Sequence, residues 1–272
     1  MPEPGASVVV RAKDEARTIE RTLAALRRQT VPVEIVVVDS GSTDGTVEIA
    51  RRWSDRLIEI PAEDFTYGGA LNLGAEAARA PFHFALSAHC FPERDDWVEL
   101  SLRHYERDDV AGTNGIQTLP DGRPVDSVFH QGAEHARANV RWGFSNHASS
   151  WRAELWRRFP FDAGLTSSED RKWALEVTAA GWVIAFDPAL WVDLSHQWRG
   201  GALFQFRRKR LETRGLAELA ALPPYRLRDA LTEWWRVPDE RHSAAFHRLN
   251  YRRLAGIAGV YRGLAATRRR GS

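Results

Sequence analysis

The sequence predicts an α/β fold: a mostly parallel central sheet flanked by helices, with a helical appendage at the C-terminal end. Three observations carry that expectation. First, Val33-Glu34-Ile35-Val36-Val37-Val38 places five β-branched residues in six, the composition of a short strand buried on both faces. Second, the run ends in Asp39-Ser40-Gly41-Ser42-Thr43-Asp44-Gly45, which is turn and cap chemistry throughout. A helix then follows from Thr46 to Trp53, with Asp44 or Thr43 as its cap. Third, Ser7 to Ala12 reads as another strand one helix earlier. Repeated strand–helix–strand units give parallel pairing with right-handed crossovers.

The chain's 272 residues suit one sizeable domain plus a small appendage. A single cysteine, Cys90, rules out an internal disulfide and fits a reducing compartment. The opening MPEPGAS lacks the basic and apolar regions of a secretion signal. No run approaches the ~20 apolar residues of a spanning helix. The expected location is therefore cytoplasmic, or peripheral at a membrane. Net charge is +2, yet residues 221–272 hold eleven arginines against four acids. A basic tail of that kind is either a solvated helix face, the reading we favour, or a contact for an anionic surface such as membrane lipid or nucleic acid.

Taken in order, strand one is followed by an amphipathic helix over residues 15–28, with Ile19, Leu23 and Leu26 on one side. After the second strand and its helix comes a short strand, Leu57 to Ile60, stopped by Pro61. Asp64 to Gly69 is a loop, and residues 70–78 form a helix rich in small residues, able to lie close to a neighbour. Residues 81–86 are a further buried strand. A helix is expected from Pro92 to Tyr105 and a strand from Val110 to Gln117. The polar stretch from Leu119 to Asn139 reads as a mobile loop. Residues 144–152 read as a strand, Trp156 to Pro160 as the end of a short helix, and Ser167 or Ser168 as the cap of a helix running to about Gly181. Strands at 182–186 and 191–196 close the core. A basic helix spans 202–213. Leu222-Pro223-Pro224 marks the boundary between a domain at 1–220 and the appendage at 221–272, whose helices are expected over 227–236 and 240–266.

The stretches SVVVRAKDEARTIERTLAALRRQT and VEIVVVDSGSTDGTVEIA are followed, in order, by YGGALNLGAEAA, SAHCFP, SSEDRKWALEVTAAGW and VDLSHQW. Together they resemble the family 2 glycosyltransferases, in particular rhamnosyltransferase-like members. The likeness implies the GT-A fold and inverting transfer of a sugar from a nucleoside-diphosphate donor. Asp39 stands at the carboxyl end of a buried strand, where open α/β sheets bind ligands. With Arg11, Asp14, Ser40, Asn72 and Ser87 it makes up the donor-binding set that the likeness implies. A UDP- or dTDP-sugar is favoured, because a carboxylate accepts the ring N–H of uracil or thymine.

Glu169 and Asp170 suit a helix start through the helix dipole. The resemblance adds a role: the family carries its general base in such a pair. Asp170 is the expected base; Glu169 is the alternative, or a partner contacting the acceptor. The family's Asp-x-Asp motif, whose carboxylates hold a divalent cation on the diphosphate, is replaced here by Ser87-Ala88-His89. His89 and His196 become the candidate ligands. A manganese or magnesium ion is the expected cofactor, with imidazole suiting manganese better than magnesium. The acceptor is a sugar, lipid-linked glycan, peptide or small molecule, and a homodimer is compatible with the apolar stripe of the tail. Nucleic acid is not an expected partner, since no stacking or groove-reading module is present. The competing reading is a catalytically degenerate GT-A protein that binds nucleotide sugars.

Overall fold

A computed structural model describes residues 4–120, 123–193, 201–219, 228 and 251–268. Residues 1–164 and 169–194 form one compact unit, and residues 165–168 and 195–272 a second.

The first unit is built on one sheet. Its strands are β1 (Ala6–Ala12), β2 (Val33–Asp39), β3 (Arg56–Glu59), β4 (Phe82–Ser87), β5 (Val110–Asn114), β6 (Phe129–Gln131), β7 (Ala148–Arg152) and β8 (Val183–Phe186). They lie in the order β3-β2-β1-β4-β7-β5-β8-β6. The pairs β3/β2, β2/β1, β1/β4 and β5/β8 are parallel. Strand β7 runs antiparallel to β4 and β5, and β6 antiparallel to β8. The mostly parallel sheet expected from the sequence is present.

Both faces are covered, which is why the centres of β1 and β2 read as near-continuous apolar runs. On one face Val8, Val10, Ile35, Val37 and Phe84 pack with Ile19, Leu23 and Leu26 of helix α1 (Ile19–Arg27) and with Trp97 of α4 (Trp97–Arg103). On the other, Val9, Val38 and Ala85 meet Leu71 of α3 (Tyr67–Ala77) and the aromatic group Phe144, Trp151, Phe161 and Trp173. Helix α2 (Thr46–Trp53) starts after Gly45, whose φ of 96° suits glycine. Asp44 supplies the cap from one residue earlier, its Oδ1 accepting Thr46 N at 3.1 Å. Thr43 does not cap the helix.

Several elements differ from expectation. Helix α4 begins at Trp97 rather than Pro92, because Arg94 and Asp96 pair in a turn of their own at 2.8 Å. The stretch read as a mobile loop contains β6 and helix α5 (Ala133–Ala138). They are held by a ring cluster of Phe129, His135, Trp142 and Phe186. Pro188–Leu190 is a 3₁₀ turn, and Asp193 makes an isolated bridge to Phe91 where a last strand was expected. Helices α6 (Ala153–Arg158) and α7 (Glu169–Ala179) complete the unit.

The second unit contains α8 (Ala202–Leu219) and α9 (Tyr251–Arg268). Ser167, one of the two serines expected at the cap of α7, donates its hydroxyl to the Leu211 carbonyl at 3.0 Å. The helix expected over 227–236, apart from Arg228, lies outside the described residues, as does the first part of that expected over 240–266. Among the described residues no helix is long and apolar enough to cross a membrane.

Gly74 shows how closely α3 lies on the sheet: a Cβ there would stand 2.2 Å from Val9 Cγ1 and 3.2 Å from Val38 Cγ2. Gly74→Ala is expected to destabilise the protein by about 1–3 kcal/mol through overpacking. A urea titration that leaves the unfolding midpoint unchanged would refute this packing account.

Candidate functional site

The strand ends build the site. Register aligns Ala12 with Asp39, Arg11 with Ser87, Leu86 with Ala148, and Asn114 with Ser149. The carboxyl ends of β2, β1, β4 and β5 and the start of β7 therefore share one edge of the sheet, where α/β sheets bind ligands.

At the β1 and β2 ends, two polar loops brace each other. Asp39 is 1% exposed and orders its own turn, Oδ1 accepting Ser42 N at 2.8 Å and Oδ2 accepting the Ser42 hydroxyl. Asp14, at a φ of 52°, accepts Thr43 N at 2.8 Å and donates its own N–H to Ser42 Oγ at 2.8 Å. Ser40 N donates to the Ala12 carbonyl at 3.1 Å. Asp39, Asp14 and Ser40 thus stand together. Each Asp39 carboxylate oxygen accepts one of these bonds and has lone-pair capacity for a second.

Arg11 reaches along the same edge. Its Nη1 lies 3.5 Å from Glu169 Oε1 and 3.3 Å from the Tyr67 carbonyl, and its Nη2 donates to the Asn146 carbonyl at 3.2 Å. Asn146 gathers the group. Its Nδ2 donates to Glu169 Oε1 at 3.4 Å, and its backbone N–H to Asp170 Oδ2 at 3.3 Å. Asp170 Oδ1 accepts Arg171 N at 2.7 Å. Glu169 is buried, while Asp170 is partly exposed. Burial, and then the neighbouring charge of Asp170, push the Glu169 carboxyl up to about 7 against the opposing pull of Arg11.

At the end of β4, Ser87 N donates to the His147 carbonyl at 3.0 Å. His89 Nδ1 pairs with Glu15 Oε1. His196 lies outside the described residues. Among the described residues, no three His, Cys, Asp or Glu side chains converge as a metal cage. Asn72 is engaged by other partners of the chain. Its side chain accepts from Trp156 Nε1 at 2.9 Å and donates to the Phe161 carbonyl at 2.7 Å, so its amide pins the 153–161 segment to α3.

Sequence reasoning missed Asn146, Tyr67 and Glu15. Asn146 lies in a run of small polar residues with no spacing signal. Glu15 does carry one: it is an acid in the loop directly after a buried strand.

Comparison with known proteins adds to this geometry. Residues 7–162 match the family described as Glycosyl transferase family 2. The glycosyltransferase AglE of Haloferax volcanii is 29% identical over 199 residues, covering 67% of this chain and 64% of AglE. The O-antigen chain rhamnosyltransferase WbaN of Salmonella anatum is 27% identical over 206 residues, covering 66% of this chain and 62% of WbaN. The chain thus spans somewhat under two thirds of these relatives' length. Among solved structures, the mannosyltransferase PcManGT of Pyrobaculum calidifontis, in complex with GDP-Man and Mn2+, superposes with a TM-score of 0.64 at 21% identity, covering 99% of this chain and 76% of that one. TarS of S. aureus with UDP-GlcNAc gives 0.57 at 16% identity, covering 98% and 92%. These likenesses establish the GT-A fold.

The raised Glu169 carboxyl has a stability consequence. Its folded value of about 7 exceeds the ordinary 4.5. Between those limits the unfolded chain releases a proton that the folded chain keeps. Stability from this group is full below pH 4.5 and lost as the pH rises through 7. The melting temperature of Glu169→Gln minus that of the wild type should therefore rise from pH 5 to pH 8. A gap that is constant with pH would sink the assignment.

Proposed function

Because the chain belongs to glycosyl transferase family 2, we propose that it moves a sugar from a nucleoside-diphosphate donor to an acceptor hydroxyl, inverting the anomeric carbon, with Asp170 as general base. The observation that carries this reading is the carboxylate pair at the start of α7. Asp170 is the more exposed member, and two backbone N–H groups fix its orientation. Glu169 is buried against Arg11 and Asn146, which suits it to positioning.

The step follows from that arrangement. The acceptor oxygen attacks the anomeric carbon as its proton passes to Asp170. The bond from that carbon to the phosphate oxygen breaks, and the nucleoside diphosphate leaves with the electron pair. One displacement without an enzyme nucleophile inverts the centre.

Asp39, Asp14, Ser40, Arg11 and Ser87 supply polar groups along the donor's path. A carboxylate at the Asp39 end accepts a ring N–H of uracil or thymine, which supports a UDP- or dTDP-sugar. TarS, recorded with UDP-GlcNAc, fits this; the mannosyltransferase, recorded with GDP-Man, shows the fold with a guanine nucleotide.

The residues present suit a divalent cation that draws most of its ligands from the diphosphate. His89 would hold it, with Glu15 on the far ring nitrogen as the orienting partner. Such an ion supplies charge stabilisation to the leaving diphosphate. Imidazole ligation suits manganese. The competing reading, a nucleotide-sugar binder without turnover, draws on the replacement of the family's Asp-x-Asp by Ser87-Ala88-His89.

Two measurements test these readings. Asp170→Asn should lower turnover about 10²–10⁴-fold while calorimetric affinity for the donor stays unchanged. Donor binding by the wild type with no turnover on any acceptor would favour the binder. Manganese should tighten donor binding in the wild type, and the gain should vanish in His89→Ala. Donor affinity indifferent to both would place the diphosphate on protein groups alone.

A further inference from the structure

We propose that the acceptor carries an anionic group, a phosphate or a carboxylate, held by Arg141 and Arg171 in a cavity beside Asp170. This rests on the glycosyl-transfer reading and names the class of its second substrate.

The cavity has a volume of about 190 Å³. That is below the ~300 Å³ at which pockets for drug-sized ligands begin, and suits one sugar ring. Trp142 and Trp191 line it together with Arg141, Arg171, His147 and Asn114, and no Asp or Glu contributes to its wall. Trp142 is fixed in place, donating from Nε1 to the Thr118 carbonyl at 2.6 Å and packing on Phe186 with ring centroids 4.7 Å apart. Among the described residues, neither arginine forms an ion pair. Arg171, partly buried, spends one N–H on the Phe144 carbonyl. A guanidinium has five donors in a fork that matches carboxylate and phosphate. The cavity therefore offers positive charge and forked donors without a protein counter-charge.

Its position separates it from the donor's own phosphates. Along the sheet edge Asp39 ends β2, Ser87 ends β4 two strands on, and Asn114 ends β5 four strands on. Neighbouring strands lie ~4.8 Å apart, so the β5 end stands about 19 Å from the Asp39 end and about 10 Å beyond Ser87. A donor with its base at β2 and its diphosphate at β4 leaves the cavity on the far side of the attacked carbon. The cavity is also tied to the reacting groups. Its lining residues Ser145 and His147 flank Asn146, whose N–H donates to Asp170 Oδ2 at 3.3 Å. Its Arg171 follows Asp170 directly.

The test titrates methyl glycosides of glucose, galactose and mannose, beside their 6-phosphates and the matching uronides. Each is added to protein saturated with the nucleoside diphosphate that binds it best, and binding is read by saturation-transfer NMR. At least one anionic glycoside should bind about tenfold tighter than its neutral counterpart, as a charge-assisted hydrogen bond implies. Arg141→Gln and Arg171→Gln should each remove that difference. Equal binding of neutral and anionic sugars, or no binding of the anionic ones, overturns the inference. So does a loss of nucleoside-diphosphate affinity in Arg141→Gln with the anionic preference intact, which would assign the arginine to the donor. If no nucleotide binds the wild type at all, the glycosyl-transfer reading fails instead, and the titration on free protein then reports on the cavity alone.

Discussion

The contact between Arg11 on β1 and Glu169 at the start of α7 is the constraint on which the site depends. The two residues are 158 positions apart, and their side chains are 13% and 5% exposed. Burying a carboxylate beside a second one is costly unless positive charge and hydrogen bonds offset it. Arg11 supplies the charge, and the Asn146 side chain a hydrogen bond. Removing either partner would leave the other without its compensation, and such losses are among the larger single-residue effects in proteins. The pair need not add net stability. It fixes where α7 begins relative to β1, and so where Asp170 stands relative to the strand ends.

From that fixed point the sheet edge works as a ruler. Parallel pairing of β2, β1 and β4 puts Asp39, Arg11 and Ser87 at successive steps. The antiparallel entry of β7 then brings Ala148, and before it Asn146, back to the same edge. An all-parallel sheet would put the start of a strand at the opposite edge. The reversed strand is thus what allows one residue, Asn146, to touch Arg11, Glu169 and Asp170 together.

The legible parts of this arrangement were those governed by local chemistry. Val33–Asp39 announced itself because a strand covered on both faces needs a near-continuous apolar run, and the turn after it is written in Gly, Ser and Asp. Glu34 in that run found its explanation only in three dimensions. It accepts from Ser7 Oγ at 2.6 Å and from Arg79 N and Nε, both at 2.8 Å. Against the upward push of burial, these bonds and the Arg79 charge hold the carboxyl below its ordinary range. The segment from Leu119 to Asn139 was misread because β6 has three residues and α5 six. Elements that short carry no usable period, and these depend on Trp142 and on the distant Phe186. Asn72 was expected with the donor on family likeness. Its amide serves Trp156 and Phe161, 84 and 89 positions away. Partners that far along the chain leave no trace in local spacing.

The departure at Ser87-Ala88-His89 reads differently once Glu15 is in view. Relative to a motif of two carboxylates, serine and histidine remove negative charge from the end of β4, where the proposed reading puts the donor's diphosphate. Glu15 returns one carboxylate to that spot from the β1–α1 loop, through its bond to His89. A strand end with one carboxylate repels a diphosphate less than one with two, by Coulomb's law at any dielectric. Less cationic charge is then needed to bring the phosphates in, and the ion that remains useful is one that accepts imidazole. On the proposed reading the substitution would shift which cation suits the site, and how strongly the site needs one, without touching the Asp170 carboxylate proposed as the base.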